Sequence, residues 1–457
     1  MGYDIVIHNG TIITVNTEFD IIANGLICIK DGKLQRIETA DPHLPLPQAE
    51  DTIDADGGVI MPGLVNAHTH LPMTLFRTHL PMTLFRGLAD DLPLLEWLND
   101  YIFPAESKHI NPESTRLGSL LGCAEIILSG TTTCCDGYFY EDAVASAVYE
   151  SGLRAILGQG VIDFPAPGVP DPSANIKNAV AFAEKWQHVS ALIAPSIFCH
   201  SPYACSAETL RRAKSAAISQ GLLFQIHAAE TKAEWDQIQS EHQTSPVQYL
   251  DRIGVLDENT LLVHVIWVDD NDIEIIAKRN AKVAHNPESN MKLGSGIAPV
   301  PGFLAAGIAV GLGTDGCASN NNLDLFQEMD FAAKLHKVNA LDPTIMDART
   351  VLKMATIDGA KAIGLDKDTG SLETGKQADV IIIDTRQPHL VPMYNPISHI
   401  VYSACGSDVR DVVVAGKRIL RNRKLLTIDI EEIMEKVSRF GASVFYSPSN
   451  SVNANTL

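Results

Sequence analysis

The sequence predicts an α/β fold: a (β/α)8 TIM barrel with a flanking β-sandwich built from the N- and C-terminal segments. Three observations lead there. Eight short apolar runs alternate with amphipathic stretches through the middle of the chain. Both ends carry short β-like segments punctuated by turn dipeptides. Histidines and an aspartate close several of the central runs, where a barrel keeps its active site. The 457 residues hold one barrel of about 250 residues and a smaller domain.

The elements follow in order. Ile5, Ile7 and residues 12–15 flank Asn9-Gly10, which predicts a hairpin. Asp31-Gly32 predicts another, between residues 26–29 and 34–37. Barrel strands are expected at 64–68, 131–135, 154–162, 191–197, 222–227, 260–264, 282–285 and 308–315, with helices such as 112–128 and 204–219 between them. Near the end, 375–379 leads into a strand at 380–383, and 412–414, Ala415-Gly416 and Ile419 read as strand–turn–strand. The expected division is therefore 1–61 with 369–445 as the composite β domain, 62–368 as the barrel, and 446–457 as a polar tail. One local oddity is a nine-residue tandem duplication, THLPMTLFR, at 69–77 and 78–86. The second copy has His79 but Arg77 two residues earlier, so His79 reads as a loop histidine.

Composition excludes several functions. The net charge of -20, from 55 acidic and 35 basic residues, opposes binding to a nucleic-acid backbone or an anionic membrane. No apolar run approaches the roughly 18 residues of a membrane span, and the first residues lack a secretory pattern. The eight cysteines form no C-x-x-C pair, which points to free thiols in a reducing cytoplasm.

The chemistry lies at the strand ends. Strand one ends in His68-Thr69-His70, and residues i and i+2 of a strand share a face. Strand five ends in His227, strand six in His264 and strand eight in Asp315. Taken singly, each is an ordinary strand-end or capping residue; together they surround one cavity. His68, His70, His227 and Asp315 are the expected ligands of one divalent metal ion, zinc first, with iron or nickel also suited. No lysine lies between residues 191 and 203 to bridge a second ion. Such an ion lowers the pKa of bound water to roughly 7. Glu230, three residues beyond His227 and expected at the start of the next helix, is the candidate general acid/base. His264 and Asp315 complete the catalytic set.

Residues 61–70 (MPGLVNAHTH), 227–230 (HAAE), 262–264 (LVH), 285–290 (HNPESN), 313–316 (GTDG) and 375–380 (GKQADV) resemble the amidohydrolase superfamily. Residues 71–77, 289–293 and 319–322 resemble its 5′-methylthioadenosine/S-adenosylhomocysteine deaminases. The resemblance implies hydrolytic deamination of an adenine nucleoside, giving ammonia and an inosine-type product. It implies Glu230 at the adenine ring nitrogen, Asp315 as ligand and proton acceptor, His200 and Ser319 as substrate contacts, and Glu106 as partner of the ribose hydroxyls. Gln159 stands where relatives carry a substrate-binding arginine, which favours an uncharged tail over that of S-adenosylhomocysteine. A nucleoside is the expected partner, with no nucleic acid or membrane, and the chain is expected to form a homo-oligomer. The competing readings are an s-triazine chlorohydrolase or aminohydrolase, a free-base deaminase, and a non-catalytic scaffold.

Overall fold

The computed structural model describes residues 2–76 and 103–445; His79 and the tail 446–457 lie outside them. The first five strands are β1 (Tyr3–Ile13), β2 (Ile21–Lys30), β3 (Lys33–Thr39), β4 (Ala49–Asp54) and β5 (Val59–Pro62). The barrel strands are β6 (Leu64–His70), β7 (Thr131–Tyr138), β8 (Arg154–Val161), β9 (Ile193–Cys199), β10 (Leu223–Ala228), β11 (Thr260–His264), β12 (Lys282–His285), β13 (Val310–Leu312) and β14 (Asp315–Gly316). The chain then returns to β15 (Val380–Ile383), β16 (Val409–Val414), β17 (Lys417–Arg421) and β18 (Lys424–Leu425).

Strands from both termini pair in one sheet, ordered β18-β17-β16-β15-β5-β1-β2-β3, with β4 beside β1. β5 joins the two ends, lying parallel to β1 and antiparallel to β15. The sheet folds back on itself. Its two turns, Asp31-Gly32 and Ala415-Gly416, come together although four strand pairings separate their hairpins: Ala378 N donates to Gly32 O at 2.9 Å and Gly416 N to Ala378 O at 3.1 Å. The fold encloses Ile5, Ile7, Ile27, Ile29, Leu34, Val380, Ile382 and Val413.

The expected hairpin at Asn9-Gly10 is not one. β1 runs straight through it with a bulge, Asn9 taking φ 61°. The reason is a change of neighbour: β4 pairs β1 as far as His8, and β5 takes over at Thr11. A side chain at Gly10 would meet Gly58 O at 2.7 Å.

The second sheet is parallel, in the order β13-β12-β11-β10-β9-β8-β7-β6-β14. Its two end strands are halves of barrel strand eight. β13 pairs with strand seven, the chain turns at Gly313-Thr314, and β14 pairs with strand one through Asp315 opposite Thr69. The sheet thereby closes into a cylinder. Every residue of β6, β7 and β8 is buried, as expected for strands walled by helices on one side and barrel core on the other. The helix Pro112–Leu128 is pinned by an Asn111 capping box, and the C-terminal helix Ile430–Phe445 packs on it.

One buried ion pair ties the two units. Arg154, opening β8, donates to Asp379 through Nε at 2.9 Å and Nη2 at 3.1 Å. Asp379 also accepts from Thr369 Oγ1 at 2.9 Å and Ala415 N at 2.7 Å. Residues 375–380 thus serve the junction between the units.

Candidate active site

The strand ends deliver their polar residues to one rim. His68 and His70 both project from the last turn of β6, and their Nε2 atoms lie 3.5 and 3.3 Å from Asp315 Oδ1. His227 Nε2, from β10, lies 3.2 Å from His68 Nε2. All three imidazoles can place a ligand nitrogen within 4.8 Å of one another. His264 joins from β11, with its ring 5.4 Å from that of His227.

Backbone strain aims these side chains. Ala229, His264, Val265 and Asp315 take φ of 53°, 73°, 50° and 60°, a region L-residues enter at a cost of about 1–3 kcal/mol each. Such strain is held only where surrounding contacts fix it. Glu234 is one such contact, accepting from Ala229 N and Glu230 N at 2.8 Å each. It therefore clamps the connection that carries Glu230, which precedes the helix Lys232–His242 rather than opening it.

Electrostatics sort the groups by role. Burial pushes the imidazoles down, His68 to about 4 and His227 well below its ordinary value. They are neutral and able to ligate. Burial pushes Asp315 up, but His68, His70 and His264 outweigh it and hold the carboxyl well below the usual range. Glu230 goes the other way: burial and then the Asp315 charge push it up to about 8. Two carboxyls in one cavity thus hold opposite protonation states at neutral pH.

The donor set fits a metal ion. His70 Nδ1 sits 2.6 Å from Gly137 O, a carbonyl that can only accept, so the proton is on Nδ1 and Nε2 offers its lone pair. Neutral ring nitrogens then converge beside an anionic carboxylate, an arrangement that a cation makes favourable. Nitrogens held about 2.0–2.1 Å from zinc at tetrahedral angles are separated by about 3.3 Å, close to the His68–His227 spacing.

A cavity open to solvent adjoins this group, lined by His70, His200, His227, Glu230, His264, Asp315 and Ser319, with Met73, Tyr203 and Leu293 as its apolar wall. His264 Nε2 lies 3.8 Å from Glu230 Oε2, and its Nδ1 lies 2.8 Å from Asn290 Oδ1. Asp315 Oδ2 accepts from Ser289 Oγ at 2.7 Å and Ser319 Oγ at 2.8 Å. The His200 ring, 5.3 Å from that of His227, is pushed by burial to about 4.

Glu106 is not among the residues that line this cavity. It is buried and bonded to the Tyr138 hydroxyl, whose ring lies 6.2 Å from that of His70. Burial pushes the carboxyl up to about 7. Gln159 stands apart. Its neighbours Gly158 and Gly160 face Phe198 and Phe139, so the alternation of β8 turns Gln159 away from them. It accepts the Glu141 N–H at 3.1 Å and faces a separate cavity with Tyr140, Asp142 and Lys185. Sequence reasoning missed Glu234, Asn290, Ser289 and Tyr138 as parts of the site. Ser289 and Asn290 fall in the 285–290 motif, which by itself assigns them no role, and Glu234 stands four residues beyond Glu230, in the first turn of the next helix.

A buried imidazole–carboxylate cluster at the C-terminal rim of a parallel barrel is the site of a metal-dependent hydrolase. Residues 59–419 match the amidohydrolase family, and the chain belongs to that family. It is 45% identical over 434 residues to the 5-methylthioadenosine/S-adenosylhomocysteine deaminase of Syntrophobacter fumaroxidans, covering 95% of this chain and 97% of that one. It is 44% identical to the 5'-deoxyadenosine deaminase of Methanosarcina acetivorans, covering 95% and 96%. A crystal structure of an adenosine deaminase from Xanthomonas campestris with bound zinc superposes with a TM-score of 0.92 at 33% identity, covering 97% of this chain and 98% of that one. No described helix is long and apolar enough to cross a membrane.

Proposed function

We propose that this chain is a hydrolytic deaminase of adenine nucleosides, of the 5′-methylthioadenosine/S-adenosylhomocysteine type, releasing ammonia and an inosine-type product. The observation that carries the reading is the convergence of His68, His70 and His227 on Asp315 at one rim, with the Glu230 carboxyl buried in the same cavity, where burial pushes Glu230 up and the imidazoles push Asp315 down. Deamination of adenine needs that pair: an acid for the ring nitrogen and a base for the attacking water. The names of the relatives support the nucleoside.

His68, His70, His227 and Asp315 would hold one divalent ion, zinc in this reading, whose chemistry there would be to lower the pKa of bound water. The remaining work falls to the side chains. Asp315, steadied by Ser289 and Ser319, takes the proton from water. Glu230 donates its proton to the ring nitrogen beside the attacked carbon, takes up the proton of the added hydroxyl and passes it to the departing amino group as the C–N bond breaks and the carbonyl forms, and regains its starting proton from Asp315. His264, oriented by Asn290, stabilises charge developing at that carbon. Glu106 and His200 are assigned to the ribose and base. Gln159 faces another cavity and has no part in this reading. Residues 62–368 form the catalytic unit and 1–61 with 369–445 the flanking one. Eight free cysteines support a reducing, cytoplasmic setting.

Ammonia release across adenosine, 5′-deoxyadenosine, methylthioadenosine, S-adenosylhomocysteine, adenine and triazines tests the proposal. Nucleosides are expected to exceed adenine and triazines in kcat/KM by at least about tenfold, which is about 1.4 kcal/mol of transition-state binding. Equal or better turnover of a free base or triazine would overturn it.

A further inference from the structure

Away from the barrel mouth, the two ends of the connection from β15 to β16 bring three unlike ligating groups together. His389 lies on the short turn Pro388–Leu390 after β15, and Cys405 caps the turn Gly406–Asp408 that feeds β16. His389 Nε2 is 2.9 Å from Asp408 Oδ2, and Cys405 Sγ is 3.3 Å from the same oxygen. Nitrogen, sulfur and carboxylate oxygen can all fall within 4.8 Å of one another. We propose that His389, Cys405 and Asp408 form a second divalent-cation site, separate from the catalytic centre, for a thiophilic ion such as zinc or cadmium.

The three differ in how firmly they are held, as ligands of a partly open site do. The Asp408 side chain is 4% exposed, and its carboxylate is fixed by the Cys405 N–H at 2.9 Å. His389 is 43% exposed, leaving solvent to fill the fourth position of a tetrahedral ion. Cys405 is the one cysteine of the eight that is not buried, so its thiol is reachable by an incoming ion. A thiolate–imidazole–carboxylate set favours zinc or cadmium over magnesium or calcium. On binding, the Cys405 thiol gives its proton to solvent, and the His389–Asp408 hydrogen bond is exchanged for two bonds to the ion. The charges around it balance in the ion's favour. Asp324 Oδ2 accepts from Gly406 N at 3.0 Å, and Arg423 Nη1 donates to Gly406 O at 3.0 Å and Val409 O at 2.7 Å. Two carboxylates face one guanidinium, and loss of the thiol proton on binding adds a further negative charge.

The location suggests a fastening role. Asp324 caps the barrel helix Leu325–Ala340, and Arg423 also reaches Leu128 O at 3.3 Å. An ion here would lock the connection from β15 to β16 onto the seam with the barrel.

Cobalt titration of the full-length chain tests this. The catalytic cluster has no sulfur ligand, so a thiolate-to-cobalt charge-transfer band in the near ultraviolet reports the second site alone. The band is expected to rise with a second equivalent of cobalt and to disappear on adding zinc. Cys405→Ser, which keeps a capping side chain, and His389→Asn, at a half-exposed position, are each expected to lose the band and the second equivalent while retaining the first. Zinc is also expected to slow maleimide labelling of Cys405 by at least about tenfold. A wild-type chain that binds one equivalent without the band, or a Cys405→Ser chain that keeps it, would overturn the proposal.

Discussion

Glu230 and Asp315 share a cavity but not a protonation state, and their separation sets the pH response. Glu230 acts as an acid, so activity is expected to fall as pH rises through about 8, where its proton is lost. Glu230→Gln is expected to lower kcat by about 10²–10⁴ and to abolish that alkaline limb, with metal content unchanged. A pH–rate profile with parallel metal analysis checks both. Glu106 makes a second prediction. Its carboxyl is raised from 4.5 to about 7 by burial, so the folded chain holds the proton more tightly than the unfolded one. That stabilising contribution is full below about 4.5 and is lost as pH rises through about 7. Glu106→Gln is expected to flatten the stability profile over that window by up to roughly 3 kcal/mol, while raising KM for nucleosides far more than for adenine. Urea melts at several pH values and substrate kinetics read the two effects. The convergence of His68, His70, His227 and Asp315 was legible in sequence because they close barrel strands, and alternate strand residues such as His68 and His70 share a face. Ser289, Asn290 and Glu234 were not, because they act by holding other residues, and those contacts exist only after folding.

Among the elements, the ends of the barrel strands were legible to within three residues, because burial on both faces leaves a run of apolar residues that stops where the polar site begins. β11 and β12 match the sequence reading, and β9 runs two residues further. The bulge in β1 was not legible. Asn-Gly adopts a left-handed backbone in a hairpin and in a bulge alike, and only the arrival of β4 and β5 decides between them. Gln159 shows the same limit: its place in β8 was read correctly, but the direction of its side chain depends on the pleat. The connection from β10 to the next helix is the element most exposed to a single change. Glu234→Ala would strand the buried N–H groups of Ala229 and Glu230, at about 1–3 kcal/mol each, and let Glu230 drift. Both a lower denaturation midpoint and a lower kcat are expected, with Glu234→Gln in between.

At the scale of the whole molecule, the barrel and the flanking sheet meet at Arg154 and Asp379. Removing one partner of a buried pair costs about 3–5 kcal/mol, whereas replacing both with apolar groups often costs little. Asp379→Ala is accordingly expected to lower the urea midpoint sharply, and Arg154→Met with Asp379→Leu to recover most of it. This explains why residues 375–380 form a recognisable motif although none of them lines the reaction cavity.

The split of strand eight has a consequence of its own. A cylinder must be zipped somewhere, and here the zip ends on Asp315, between a strand that arrives and a strand that departs. The teeth at that point are few: β14 is two residues long. An ion gripping Asp315 together with His68 and His70 would rivet the first staves of the wall to the last. Chelation should therefore speed amide exchange at residues 313–316 and along β6 before it does so in β8 or β9, so that the protein would come undone at its reaction centre first.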